Sequence, residues 1–395
     1  MRVLLRILLV LVVIVSVVGL AGIGYMALAV RRPWPQTDGT VDVTDLGNEV
    51  TVIRDSWGIP HIYASTTHDL FFAQGYVHAQ DRFWQMEFWR RIGAGQLAEV
   101  LGESALGSDR FIRTVGWHRA AARELELLDA ESRAALEAYA EGVNAYVSTH
   151  RGRLGLEFTI LGLTGVDFEP EPWTVLNTLT WAKVMSWDLG GNMGSEMLRA
   201  QIADKLGTDA IDVLMPPYDE DHPVIVPHPL SQATLDTVPE AAGMIHPLGT
   251  GAGLGSNNWV IAGSRTATGM PLLANDPHLG IQMPSIWYEV GLHCEPVGPD
   301  CPFNVVGSSF PSAPGVIIGH NDRIAWGVTN LNPDVQDLFI ERVNPENPNQ
   351  YEFQGEWHDM EIVREVIEVA GRDEPVAIDV RITRHGPIIN DVAGG

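Results

Sequence analysis

A tract rich in proline and glycine between Gly207 and Gly255 divides this chain of 395 residues into two stretches that follow different structural plans. Pro216-Pro217, Pro223, Pro227, Pro229 and Pro239 interrupt any regular element, and Gly249, Gly251, Gly253 and Gly255 then lead up to Ser256. A connection of this length without structure of its own is unusual in a compact domain unless it has a purpose. Before it, Phe72, Tyr76, Ala79, Phe83 and Met86 recur at helical spacing, with Gly93 and Gly95 expected to close the helix. Helices are also expected through Glu131 to Tyr146 and Glu196 to Lys205, so residues 66–206 read as mainly helical, after two short strands at Val50 to Ile53 and past Gly58-Ile59-Pro60. Beyond Ser256 the pattern is of strands: Trp259 to Ile261, Leu272 to Ala274, Ile286 to Leu292, Val316 to Ile318, Ile324 to Trp326, an alternating run from Val376 to Ile382, and Gly386 to Ile389, where the sheet reads as unfinished.

Ile7 to Val30 is a run of 24 residues without a charge, preceded by Arg2 and Arg6 and followed by Arg31-Arg32. That length spans a bilayer, so residues 1–32 read as a membrane anchor. Ala27-Leu28-Ala29 also fits a signal-peptidase site, which leaves a cleaved secretory signal as the other reading; both place the body of the protein outside the cytoplasm, in the periplasm or at the cell surface. The net charge is −25, and with four arginines confined to the first 32 residues the remainder is more acidic still. Such a body repels nucleic acid and anionic lipid. Cys294 and Cys301 flank a short loop rich in proline and glycine, which suits a disulfide in an oxidising compartment, with free thiols as the alternative.

Familiar catalytic signatures are absent: there is no Gly-x-Ser-x-Gly elbow, no His-Glu-x-x-His and no phosphate-binding loop. Leu254-Gly255-Ser256-Asn257-Asn258-Trp259 instead sets a serine where the linker meets an apolar strand. A serine hydroxyl is a weak nucleophile that needs a base within hydrogen-bonding reach. Cutting the bond before Ser256 would supply one on the same residue, because a free α-amine titrates near ~7.7 to 8.0 and is partly neutral at working pH. Gly255 leaves the carbonyl to be attacked unhindered. A plain serine at a linker–strand border is the alternative reading of this junction.

Gly255-Ser256-Asn257-Asn258-Trp259-Val260, Asn275-Asp276-Pro277-His278-Leu279, Gly319-His320-Asn321 and Ala325-Trp326-Gly327-Val328-Thr329-Asn330, in this order, resemble the penicillin acylase family of N-terminal-nucleophile hydrolases. Arg54-Asp55-x-x-Gly58-Ile59-Pro60-His61-Ile62 and Gly75-Tyr76-Val77-His78-Ala79-Gln80-Asp81-Arg82 are similar to motifs of that family's α chain, so the likeness runs from about residue 48 onward. It implies an α+β fold, the four-layer αββα sandwich of N-terminal-nucleophile hydrolases, with residues 33–206 as a mainly helical α-chain region. Residues 207–255 would be an excised spacer, and 256–395 the first part of a β chain. The activity implied is hydrolysis of a linear amide in a small N-acyl compound such as a β-lactam or an acyl-homoserine lactone. Ser256 would be the nucleophile and, through its freed amine, the base; His278 would orient them; the main-chain N–H of Asn330 would hold the oxyanion.

The resemblance further implies a structural calcium ion held by Glu196 from the α chain and by Asp334, the Gln336 carbonyl and Asp337 from the β chain, joining the processed pair. The family's second oxyanion donor, an asparagine side chain farther along the β chain, has no counterpart up to residue 395, so the chain as written is expected to be truncated and inactive. Trp187, Met185 and Phe310 are either walls of an acyl pocket or core residues. A different class of reading is a catalytically silent, membrane-tethered, calcium-holding binding module. A conventional serine hydrolase would draw its histidine from 13 candidates without a motif.

Overall fold

A computed structural model describes residues 2–166, 169–216, 255–331 and 335–393. Of the proposed spacer, residues 217–254 lie outside the described residues, whereas 207–216 and Gly255 are described; Asp334 and the chain's last two residues also lie outside.

The N-terminal segment is one helix, α1 (Arg2–Arg31). Its stretch Arg6–Arg31 is long and apolar enough to cross a membrane and is exposed along nearly all its length, Ala29 being buried, as expected of a signal sequence or anchor. Two strands follow, β1 (Thr51–Arg54) and β2 (Pro60–Ala64). The long helix α2 (Thr67–Ala94) starts where the Thr66 side chain accepts from Asp69 N, and ends at Gly95, whose left-handed φ of 63° lets its N–H reach Arg91 O and Ile92 O. Gly93, expected as a terminator, lies inside α2. It is there for contact: a Cβ at this position would meet Thr180 Cγ2 at 2.6 Å.

Short helices α3 (Ala98–Leu101), α4 (Glu103–Val115) and α5 (Trp117–Leu125) lead to α6 (Ala130–Thr149) and α7 (Leu156–Leu163). The helical region closes with α8 (Val175–Gly190), α9 (Met193–Leu206) and α10 (Asp209–Leu214). Helices α2 and α6 cross with their backbones touching, since a Cβ at Gly142 would stand 1.8 Å from Phe72 O and one at Gly75 2.1 Å from Tyr139 O. Only glycine permits that approach. Along this contact Ala79, Phe83 and Met86 are buried with Tyr139, Val143 and Tyr146.

Past the spacer come β3 (Gly255–Ile261), β4 (Leu272–His278), β5 (Tyr288–Cys294), β6 (Asn304–Ser309), β7 (Ile318–Asn321) and β8 (Ala325–Trp326). The main sheet has the order β1-β2-β5-β6-β7-β8, so strands from both sides of the spacer share it. Strand β2 runs parallel to β5, with His61 opposite Gly291 and Ala64 opposite Cys294, and every other neighbour is antiparallel. Leu70, Phe71, Ala73 and Val77 of α2 pack on Ile62, Val290 and Leu292 of this sheet. Cys294 and Cys301 form the disulfide expected from their spacing.

Strands β9 (Val343–Asn344), β10 (Asn347–Phe353) and β11 (Glu356–Asp359) make a three-stranded sheet, and β12 (Glu361–Ile367) pairs with β13 (Val376–Ile382). Ile367, Val376 and Ile378 of that hairpin pack in one core cluster with Phe111 and Ile112 of α4. The helical first half and strand-built second half give the α+β class that the sequence implies. Two expectations shift. The strand placed at Val316 to Ile318 forms at Ile318–Asn321, after Ile317 N has bonded to Ser308 O. Gly386 to Ile389 is no strand but one bridge between Pro387 and Ile382 before a helical turn, α11 (Asn390–Ala393), because proline has no N–H to extend a ladder.

Candidate active site

Strands β3 and β4 form a separate two-stranded ribbon whose register assigns its faces. Gly255 lies opposite His278, Ser256 opposite Pro277, Asn257 opposite Asp276 and Asn258 opposite Asn275. Directly opposed residues share a face and successive residues alternate. Ser256, Asn258, Asn275 and Pro277 therefore lie on one side, and Asn257, Asp276 and His278 on the other. Trp259 and Val260 remain exposed at 65% and 73%, so the ribbon is covered by little of the described protein.

The Ser256 Oγ donates to Gly255 O at 2.6 Å, beside the peptide bond that self-cleavage would break. His278 sits elsewhere than expected. Its Nε2 lies 3.0 Å from Asp276 Oδ2 and 3.4 Å from Asn257 Nδ2, both on the face opposite Ser256, so in the intact chain it bonds to groups on that face rather than to the nucleophile. The register that pairs it with Gly255 is the physical reason.

The segment that leaves the edge strand β8 meets the face that carries Ser256 at Gly327 and Val328. Val328 N donates to Asn275 Oδ1 at 2.8 Å, while Asn275 Nδ2 donates to Val328 O and to Asn257 O, both at 2.9 Å. Gly327 comes so near that a Cβ there would meet Asn258 Nδ2 and Asn275 Oδ1 at 2.8 Å. At the far end the Asn330 side chain donates to Leu189 O, the last turn of α8, at 2.5 Å. The ribbon, the sheet edge and the helical region thus converge on one segment. Asn275 stands within a motif that resembles the family, yet nothing in its spacing announces this role; only the ladder register reveals it.

Of the proposed calcium ligands, Gln336 reaches by its side chain the start of the helix that carries Glu196. Glu196 lies in the first turn of α9, and the Gln336 Oε1 accepts from Asn192 N and Met193 N at that helix's start, both at 3.1 Å. Glu196 Oε1 also lies 3.3 Å from Arg199 Nη1. Asp337 follows Gln336, and Asp334 lies outside the described residues. Among the described residues no cluster of three or more His, Cys, Asp or Glu side chains is arranged to hold a metal. What the described residues do bring together is the Gln336 side chain, from after the spacer, and the start of α9, from before it.

Phe310 is buried and stacks on Trp287 with ring centroids 4.4 Å apart; partly buried Met185 and Trp187 pack against the same core cluster. Trp187 meets Phe111 edge-on and Trp117 at a tilt.

A sequence model of the penicillin amidase family matches residues 49–394. An acyl-homoserine lactone acylase, QuiP, of Pseudomonas aeruginosa is 34% identical over 374 residues, covering 91% of this chain and 42% of that protein. Penicillin acylase 2 proenzyme of a Pseudomonas species is 33% identical, covering 91% of this chain and 46% of the relative. Penicillin G acylase of Escherichia coli is 29% identical, covering 87% and 46%. The chain thus spans less than half the length of these curated relatives. Among solved structures, a thermostable penicillin G acylase from Alcaligenes faecalis matches 46% of this chain and 98% of its own at 28% identity, with a TM-score of 0.38.

Proposed function

Because this chain belongs to the penicillin amidase family, we propose that it is part of an acylase that frees Ser256 by self-cleavage and then hydrolyses the amide bond of a small N-acyl compound. The observation that carries this reading is the shared face of the β3–β4 ribbon, where the side that bears Ser256 meets the backbone at Gly327 and Val328, just before Asn330. In the first step the Ser256 Oγ attacks the Gly255 carbonyl carbon and the acyl group passes from nitrogen to oxygen; water then cleaves the ester, leaving Gly255 as a carboxylate and Ser256 with a free amine.

In turnover the Oγ attacks the substrate's acyl carbon and its proton passes to the α-amine. The oxyanion is received by the main-chain N–H of Asn330, and the ammonium then protonates the leaving amine. Water attacks the acyl-enzyme by the same route and releases a carboxylic acid. His278, which faces away from Ser256 in the intact chain, reaches an orienting position only if the ribbon rearranges after the cut.

The cut pieces remain associated through the β2–β5 ladder. Glu196, Asp334, Gln336 and Asp337 would hold a calcium ion that ties the α9 end to the segment after Asn330. Phe310, Met185 and Trp187 would sort acyl chains. The N-terminal helix would deliver the enzyme outside the cytoplasm, as an anchor or a removed signal. A panel of aliphatic and aromatic N-acyl compounds with one leaving amine, offered to the full-length protein, tests the activity. Amine release at a rate that depends on the acyl group is expected, and no release from any member contradicts it.

A further inference from the structure

Asn275 makes three hydrogen bonds with one planar group. Its Oδ1 accepts from Val328 N at 2.8 Å and its Nδ2 donates to Val328 O and Asn257 O at 2.9 Å each. A backbone N–H only donates, so the amide has one orientation, with oxygen toward Val328 N and nitrogen toward the two carbonyls. Both Nδ2 protons are used. The side chain therefore bonds to Val328 as a neighbouring strand would, while holding the carbonyl of the residue directly after Ser256. Gly327 permits the approach, because any Cβ there would collide with Asn275 Oδ1 and Asn258 Nδ2 at 2.8 Å.

Both ends of the crossing segment are thereby pinned, at Val328 by Asn275 and at Asn330 by Leu189 O. The Leu189 tether reaches α8, not the ribbon. Asn275 joins the ribbon carrying Ser256 to the backbone that leads to the Asn330 N–H. A donor stabilises a tetrahedral oxyanion only when its distance and direction are fixed in advance, since the reacting oxygen moves little.

We propose that Asn275 is a positioning residue that sets the spacing between the Ser256 nucleophile and the oxyanion-binding backbone at Val328 to Asn330. It rests on the reading of Ser256 as the nucleophile. It adds a role for a side chain that touches neither substrate nor reacting atoms. A purely structural asparagine would support folding alike in the free enzyme, the substrate complex and the transition state. A positioning residue acts mainly on the last.

The test uses Asn275→Ala and the near-isosteric Asn275→Asp in the full-length protein. Asn275→Asp keeps the acceptor for Val328 N and loses both donated bonds. For each variant kcat and KM are measured on the best acyl substrate, with inhibition constants for the matching boronic acid, a tetrahedral mimic, and for the product carboxylic acid. The expected result is a kcat lower by about 10- to 100-fold with KM within about twofold. The boronic acid should weaken by a similar factor, product acid should bind unchanged, and the melting temperature should stay near that of the parent.

Wild-type kcat in both variants overturns the proposal. So does a parallel loss of thermal stability, Ser256 release and affinity for both inhibitors, which would mark Asn275 as a folding residue. A parent protein that neither releases Ser256 nor hydrolyses any amide would instead refute the underlying reading, and is seen without the variants.

Discussion

The Gln74 side chain and the Gly315 backbone hold each other by two hydrogen bonds, Gly315 N to Oε1 at 2.8 Å and Nε2 to Gly315 O at 2.9 Å. Gln74 is fully buried on α2, before the spacer, and Gly315 lies after Ser256. Glu365 of β12 likewise accepts from Arg113 at 2.9 Å and from Arg119. With the shared main sheet, these contacts bind the two halves without the connecting peptide. Gln74→Ala should cost about 1 to 3 kcal/mol, because it strands a backbone donor and acceptor. Urea unfolding checks this, and an unchanged midpoint would count against the role given to the pair.

His78 predicts an acid dependence of stability. It is completely buried, its Nδ1 2.8 Å from Tyr139 OH and its Nε2 3.1 Å from Ser309 Oγ. Ser309 Oγ donates to Tyr288 O and Tyr139 OH accepts from Ser312 N, so the neutral ring with its proton on Nε2 satisfies every partner. Burial, helped by the charge of Arg82, pushes its pKa down from 6.5 to about 3. The unfolded chain takes up this proton below about 6.5 and the folded chain does not. The stabilisation is thus present above that pH and lost as pH falls toward 3. The stability difference between parent and His78→Asn should shrink by up to about 1.4 kcal/mol per pH unit across that window. A pH-independent difference would contradict it.

The α2–α6 crossing has no room for a methyl group. Gly142→Ala would set a Cβ 1.8 Å from Phe72 O, where rigid backbone must give way. A loss of about 1 to 3 kcal/mol in thermal or urea unfolding is expected from such overpacking. Gly107→Ala, with open space around its Cβ, is the control and should be neutral or mildly stabilising.

Removal of calcium tests the proposed ligands. EDTA should lower the melting temperature and calcium, but not magnesium, should restore it, since a metal that binds only the folded protein stabilises by about 2.7 kcal/mol at 100 times its dissociation constant. Asp337→Ala should abolish the response. Insensitivity to EDTA with no calcium found by elemental analysis would remove the metal from the account.

Much of the fold is legible in the sequence because it depends on local spacing. The Phe72 to Met86 face forecasts α2, Gly95 its left-handed end, and Cys294 and Cys301 their bridge. Gly93 misleads because a glycine needed for tight packing on Thr180 looks the same as one that ends a helix. At the site, the motif around Ser256 identifies the residue, yet the side of the ribbon on which each neighbour lies depends on the pairing of strands more than ten residues apart. One step of register decides that Asn275 shares the face of Ser256 and that His278 does not. No composition or periodicity carries that information.

The most direct measurement is N-terminal sequencing and intact mass of the purified full-length protein, set beside Ser256→Ala. A polypeptide beginning Ser-Asn-Asn-Trp in the active parent, and an uncut, inactive chain for Ser256→Ala, is the result predicted here. An active preparation in which the bond between Gly255 and Ser256 is intact would contradict the central claim.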